Sequence, residues 1–172
     1  MPLLAAKNFT VTNAGLSVIG IDIFSERGDI IVQYGDFHDE ILIHVAYYGA
    51  KENDIKYFTE EFDYSDFTVR FKQLVQRPSG LRGSVGNCLL TNIKVYIPRL
   101  YKVSPSMKLT TEHGNVIYKA YSDSTFGGWD KFEVKAGTGN IYLNDVSITV
   151  PRNTLYRNLF NSRLIINIEN NE

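Results

Sequence analysis

Three times in this 172-residue chain, a glycine is followed by Asp or Asn and then by a β-branched apolar residue that opens an alternating stretch. The copies are Gly28-Asp29-Ile30, Gly114-Asn115-Val116 and Gly139-Asn140-Ile141, with a looser version at Gly86-Asn87-Cys88-Leu89. Glycine takes a positive φ without steric cost, and Asn or Asp tolerates that region while bonding to nearby backbone. Such a pair turns a sharp corner and feeds a new strand. Gly139 follows Gly114 by 25 residues and Gly114 follows Gly86 by 28. Spacings of roughly 20–30 residues suit one coil of a stacked β-architecture, in which each coil buries its apolar face on the next. Between Gly28 and Gly86 the gap is 58, so an antiparallel β-sandwich stands as the alternative topology.

Period-2 alternation supports strands throughout. Ile19, Ile21 and Ile23 share one face, as do Ile41, Ile43 and Val45; Phe67, Val69 and Phe71; Ile93, Val95 and Ile97; Val146, Ile148 and Val150; and Leu164, Ile166 and Ile168. Each set puts one face in a core and the other towards solvent. Eleven Tyr and ten Phe reinforce the β reading, because such rings pack well on pleated surfaces. The one helical candidate is Asn153–Phe160 after Pro151, and an irregular excursion fits it equally. Turn clusters at 26–29, 77–80, 122–128 and 136–140 are too short for linkers. The expectation is one all-β domain over residues 1–172, a short irregular parallel β-solenoid.

Four segments occur in an order that resembles a known family: Ser25-Glu26-Arg27-Gly28-Asp29-Ile30, Val95-Tyr96-Ile97-Pro98, Lys108-Leu109-Thr110-Thr111-Glu112-His113-Gly114-Asn115-Val116, and Lys135-Ala136-Gly137-Thr138-Gly139-Asn140-Ile141. They look like the "putative adhesin" domains of bacteria and fungi, a family of unknown molecular function. The resemblance spans about residues 16 to 150 and implies a β-solenoid and an extracellular or cell-surface setting. Further Gly-Asn-Ile coils, usual in the family, are missing after Ile141, which favours a short solenoid.

The formal net charge of −1 conceals a division. Residues 1–66 carry 12 acidic and 4 basic side chains, whereas 67–172 carry 7 and 14. Oppositely charged halves attract, within a molecule or between neighbours. The basic residues are spread over alternating strands, with no dense run and no docking helix, so nucleic acid is not an expected partner. Cys88 is the sole cysteine and permits no intrachain disulfide. No apolar run approaches the roughly 18 residues of a membrane-spanning helix. Residues 1–7 have neither the basic n-region nor the full h-region of a signal peptide. Asn8-Phe9-Thr10 forms a short glycosylation sequon.

Motifs for catalysis or metal binding are weak. His38, His44 and His113 have no metal-ligand spacing. Asp29, Asp36, Asp39 and Glu40 cluster near one corner without the pattern of an EF-hand or a calcium-binding β-roll. The acidic run Glu60, Glu61, Asp63 and Asp66, mixed with Phe58, Phe62, Tyr64 and Phe67, reads as an edge strand protected by charge. No nucleophile elbow or phosphate loop occurs. The chain is therefore expected to be no enzyme and to need no cofactor. Gly28, Asp29, Gly114, Asn115, Gly139 and Asn140 are the structural turn residues. Among the aromatics, Tyr96, Tyr118, Trp129 and Tyr142 are candidate ligand or partner contacts, since exposed rings stack on sugars or pack on proteins.

Two functions follow as expectations. The first is a structural or adhesive module that self-associates head to tail, its acidic end meeting a neighbour's basic end, into filaments or surface structures. The second is a module that binds a cell-surface glycan or protein through exposed aromatics.

Overall fold

The structure is a computed structural model and describes residues 1–12, 18–35, 39–76, 89–98, 106–119, 131–144, 153–158 and 164–167. Asp36, His38, Trp129, the Gly86–Cys88 part of the looser corner and the Val146–Val150 alternation lie outside them.

Thirteen strands and one 3-10 turn are described. The strands are β1 (Leu3–Val11), β2 (Gly20–Arg27), β3 (Ile30–Gly35), β4 (Ile41–Tyr48), β5 (Phe58–Ser65), β6 (Thr68–Val75), β7 (Leu90–Pro98), β8 (Ser106–His113), β9 (Val116–Lys119), β10 (Lys131–Ala136), β11 (Ile141–Asn144), β12 (Asn153–Asn158) and β13 (Leu164–Asn167). The 3-10 turn is Glu52–Tyr57. The segment from Asn153, which the sequence left between a helical turn and an irregular excursion, is strand β12 over Asn153–Asn158, paired in parallel with β10 from Lys131↔Asn153 to Ala136↔Asn158. A neighbouring strand with unmet backbone groups outweighs the segment's mediocre helix propensity.

Two mixed sheets form. The first runs β1-β4-β7-β3-β9-β11-β13 and the second β5-β6-β2-β8-β10-β12. Antiparallel pairing joins β1 to β4, β4 to β7 and β5 to β6, while β2, β8, β10 and β12 run parallel, as do β3, β9, β11 and β13. Three times the chain passes from the second sheet to the first through a glycine corner: β2 to β3 at Gly28, β8 to β9 at Gly114, and β10 to β11 at Gly139.

Between the sheets lies one core. Its register is repetitive: Val45, Ile93, Ile30, Val116 and Ile141 line up across the first sheet, and Phe62, Phe71, Ile23, Leu109 and Val134 across the second. All but Phe62 are buried. Burying each such aliphatic side chain contributes about 1.5–3 kcal/mol. Alternation places Ile19 and Phe67 with these inward sets, yet both are exposed, at 48% and 60%. The reason is local. Asp66 and Phe67 take left-handed φ values of 51° and 56° in the two-residue turn of the β5–β6 hairpin, which lifts Phe67 out of the strand pattern. Ile19 precedes β2, and its N–H donates to the carbonyl of Phe67 (2.8 Å).

Candidate functional site

The corners stack directly on one another. Gly28 has φ +124°, and a Cβ there would lie 1.5 Å from the Thr91 carbonyl oxygen. A Cβ on Gly114 would meet Gly28 O at 2.1 Å, and one on Gly139 would meet Gly114 O at 1.7 Å. Beside this glycine column runs a side-chain ladder. The Asn115 N–H donates to Asp29 Oδ1 (2.8 Å) and the Asn140 N–H to Asn115 Oδ1 (2.8 Å). Backbone bonds continue alongside, from Ile30 N–H to Asn115 O (2.9 Å) and from Val116 N–H to Asn140 O (3.0 Å). The six turn residues thus form a single structural column.

The aromatic candidates do not share a face. Tyr118 is 5% exposed and its ring centroid lies 4.9 Å from that of Phe132, so it is a core ring; on β9 the even positions point inward. Tyr96 and Tyr142 are half-buried on the opposite side of the first sheet, in different rows: Tyr96 pairs with Leu42 and Gln33, whereas Tyr142 pairs with Ile117. The Asn140 amide donates to Tyr142 Oη (3.1 Å), tying that ring to the corner column. Trp129 lies outside the described residues.

At the β1/β5 end, Lys7 pairs with Glu60, which also accepts the Tyr47 hydroxyl proton. Burial, and then Glu60, raise the Tyr47 pKa well above its ordinary value. His44 Nδ1 is 2.7 Å from Asn8 Oδ1 and His113 Nδ1 is 3.2 Å from Thr138 Oγ1. Among the described residues no three His, Cys, Asp or Glu side chains converge as metal ligands, and no helix is long and apolar enough to cross a membrane.

Sequence reasoning missed the outer face of the second sheet. There the register lines up Asp63, Arg70, Asp22, Lys108 and Glu133 across β5, β6, β2, β8 and β10, with signs alternating at the strand spacing of about 4.8 Å. On one side lies a row of Ser65, Thr68, Gly20 and Ser106, and on the other a row of Glu61, Lys72, Phe24, Thr110 and Lys135. A groove of about 820 Å³ opens over these charges and Phe24. A smaller hollow of about 300 Å³ lies over Gly20, lined by Ile19, Thr68, Ser106, Asp22, Lys108 and Glu133 among others. Asp63 and Arg70 pair at 3.5 Å; Arg70 Nη1 also donates to Ser65 Oγ (3.2 Å), whose hydroxyl donates to Asp63 (2.6 Å). Each charge is the polar member of an ordinary alternation, and only the pairing order places them in one row.

No family model and no curated protein matches the sequence. The chain is similar to solved structures, one of them reaching a TM-score of 0.50. One is described as a "putative cell adhesion protein" from Clostridium sporogenes, with 10% identity, coverage of 96% of this chain and 99% of that one, and a TM-score of 0.50. Another is a "putative adhesin" from Bacteroides fragilis, with 14% identity, coverage of 96% and 70%, and a TM-score of 0.39. Across nearly its whole length, this chain is similar in fold to the Clostridium cell adhesion structure.

Proposed function

We propose that the chain is a non-enzymatic adhesive module, a short irregular parallel β-solenoid whose two ends associate head to tail. The strand order carries this reading: β1 and β5 bound one end of the two sheets, β13 and β12 the other. The outer row that begins with Glu61 on β5 finishes with Lys135 on β10, next to edge strand β12. Stacking one copy on the next would set the acidic edge strand β5 of one copy against β12 of its neighbour, beside which Lys135 stands on β10. Such a contact is heterologous and, where the rotation does not close, propagates as a filament. The parallel pairing of β2, β8, β10 and β12, with a glycine corner between the sheets in each of three passes, supports the solenoid winding. The Clostridium neighbour's description as a "putative cell adhesion protein" supports the adhesive role.

Light scattering and negative-stain electron microscopy over a concentration series test the assembly. Particles that lengthen at low salt and shorten at high salt are expected, because exposed charges are screened beyond roughly 10 Å at 0.1 M salt. Monodisperse monomers at every concentration and salt would sink the proposal.

A further inference from the structure

Two rows of inward positions run side by side across the second sheet, and they differ in chemistry. One holds Phe62, Phe71, Ile23, Leu109 and Val134; the next, nearer the glycine corners, holds Glu60, Gln73, Ser25, Thr111 and Ala136. All of the second row but Ala136 is polar, and Ser25, Thr111 and Ala136 are smaller than their counterparts Ile23, Leu109 and Val134. Gln73, Ser25 and Thr111 are nevertheless fully buried. The facing sheet adds Tyr47 and Thr91, paired with each other across β4 and β7 and also fully buried.

These residues close a polar ring between the sheets. On one side the Tyr47 hydroxyl donates to Glu60. On the other the Thr111 hydroxyl donates to the Gly28 carbonyl (2.8 Å), and Gly28 abuts the backbone of Thr91. Inside the ring, Ser25 Oγ, Thr91 Oγ1 and both polar atoms of the Gln73 amide, Oε1 and Nε2, have no hydrogen-bond partner among the described residues. We propose that this ring is an internal water site, in which ordered water joins Gln73 and Ser25 of the second sheet to Thr91 of the first.

The chemistry selects the occupant. Buried amides and hydroxyls without a partner are costly and rare in folded proteins. Gln73 Nε2 only donates and Gln73 Oε1 only accepts, whereas the Ser25 and Thr91 hydroxyls do either. A cation would serve the oxygens and leave Nε2 unmet; an anion would serve the donors and leave Oε1 unmet. Water both donates and accepts, and when buried makes about three hydrogen bonds. Facing sheets lie about 10 Å apart, a space that Ile23, Leu109 and Val134 fill in the neighbouring row and that Ser25, Thr111 and Ala136 fill less completely. The result is a link between the sheets at the first glycine corner that apolar packing does not supply.

High-resolution crystallography of the full chain and water-to-protein magnetisation transfer by NMR test the site directly. Ordered water within hydrogen-bond distance of the Gln73 amide and of Ser25 or Thr91 is expected, with an NOE from long-lived water to the Gln73 side-chain amide protons. Chemical denaturation of variants gives a second measure. Ser25→Ala and Thr91→Val each remove one hydroxyl, the latter with little change of shape, and each should lower the folding equilibrium constant by about fivefold. The double variant should lose clearly less than the product of the two, because both hydroxyls act through shared water although they stand on different sheets. A Gln73 amide bonded directly to Ser25 or Thr91, or the absence of a long-lived-water NOE, would overturn the inference. So would a gain in stability from either single change, which is what removing an unbonded buried hydroxyl gives. Full additivity of the two losses would also sink it, since separate partners would then serve the two hydroxyls.

Discussion

Gly28 has neither space for a side chain nor an ordinary backbone alternative, with φ +124° and the Thr91 carbonyl oxygen 1.5 Å from where a Cβ would go. Gly28→Ala is expected to cost roughly 3 kcal/mol or more, from strain and from parting stacked backbones, read as a lower midpoint in chemical denaturation. Tyr47 gives a pH prediction. Burial and Glu60 raise its folded pKa above the ordinary 10.0. The folded state therefore holds this proton more tightly, and the associated stability is complete below pH 10 and declines as pH rises beyond it. The site contributes a slope of about 1.4 kcal/mol per pH unit. Alkaline denaturation of Tyr47→Phe should show a shallower loss over that range; an unchanged slope would refute the assignment. The glycine corners were legible in the sequence because the need for a positive φ or for missing bulk is a one-residue requirement. Phe67 was not, because a left-handed turn carrying Asp-Phe has none of the usual glycine signal.

Among elements, the corner ladder does work that its strands cannot do alone. The Asn115 side chain accepts from the Asn140 N–H while its own N–H reaches Asp29. Asn115→Ala leaves the Asn140 N–H without that acceptor and is expected to cost about 1–2 kcal/mol. Asn115→Asp keeps the acceptor, as Asp29 does in the preceding corner, and should fall well short of that loss in thermal unfolding. Strand existence was readable from alternation for β4 and β7, where Ile41, Ile43 and Val45, and Ile93, Val95 and Ile97, are all buried. Strand order was not. That β6 lies against β2, or that β7 sits between β4 and β3, depends on contacts between residues some 50 positions apart, which no local window contains. The charged row from Asp63 to Glu133 was hidden for the same reason.

For the whole molecule, the two ends differ in how their strands pair. At the β1/β5 end the outermost pairs are antiparallel, β1 on β4 and β5 on β6, while at the other end β12 and β13 continue the parallel stack. Reversing the acidic edge by the double change Glu61→Lys and Asp63→Lys should abolish low-salt growth of the particles. Mixing that variant with the parent should shorten the parent's assemblies, since the altered copies retain one competent end. Both outcomes are measurable by light scattering. The acidic and basic halves were apparent from residue counts, but strand order interleaves them, placing β6 between β5 and β2 and β7 between β4 and β3, and leaves the acidic strand β5 at one edge of the second sheet.

The glycine column also bears on how such a chain could lengthen over generations. Each corner rests on the one before it, and Gly114 and Gly139 are 25 residues apart. An in-frame tandem duplication of the codons for residues 115–139 would supply a new strand for each sheet, a new glycine to rest on the old, and a new Asn for the ladder. Length in this architecture is thus heritable in discrete steps, and a frame-preserving copying error of the right size yields a taller molecule instead of a broken one.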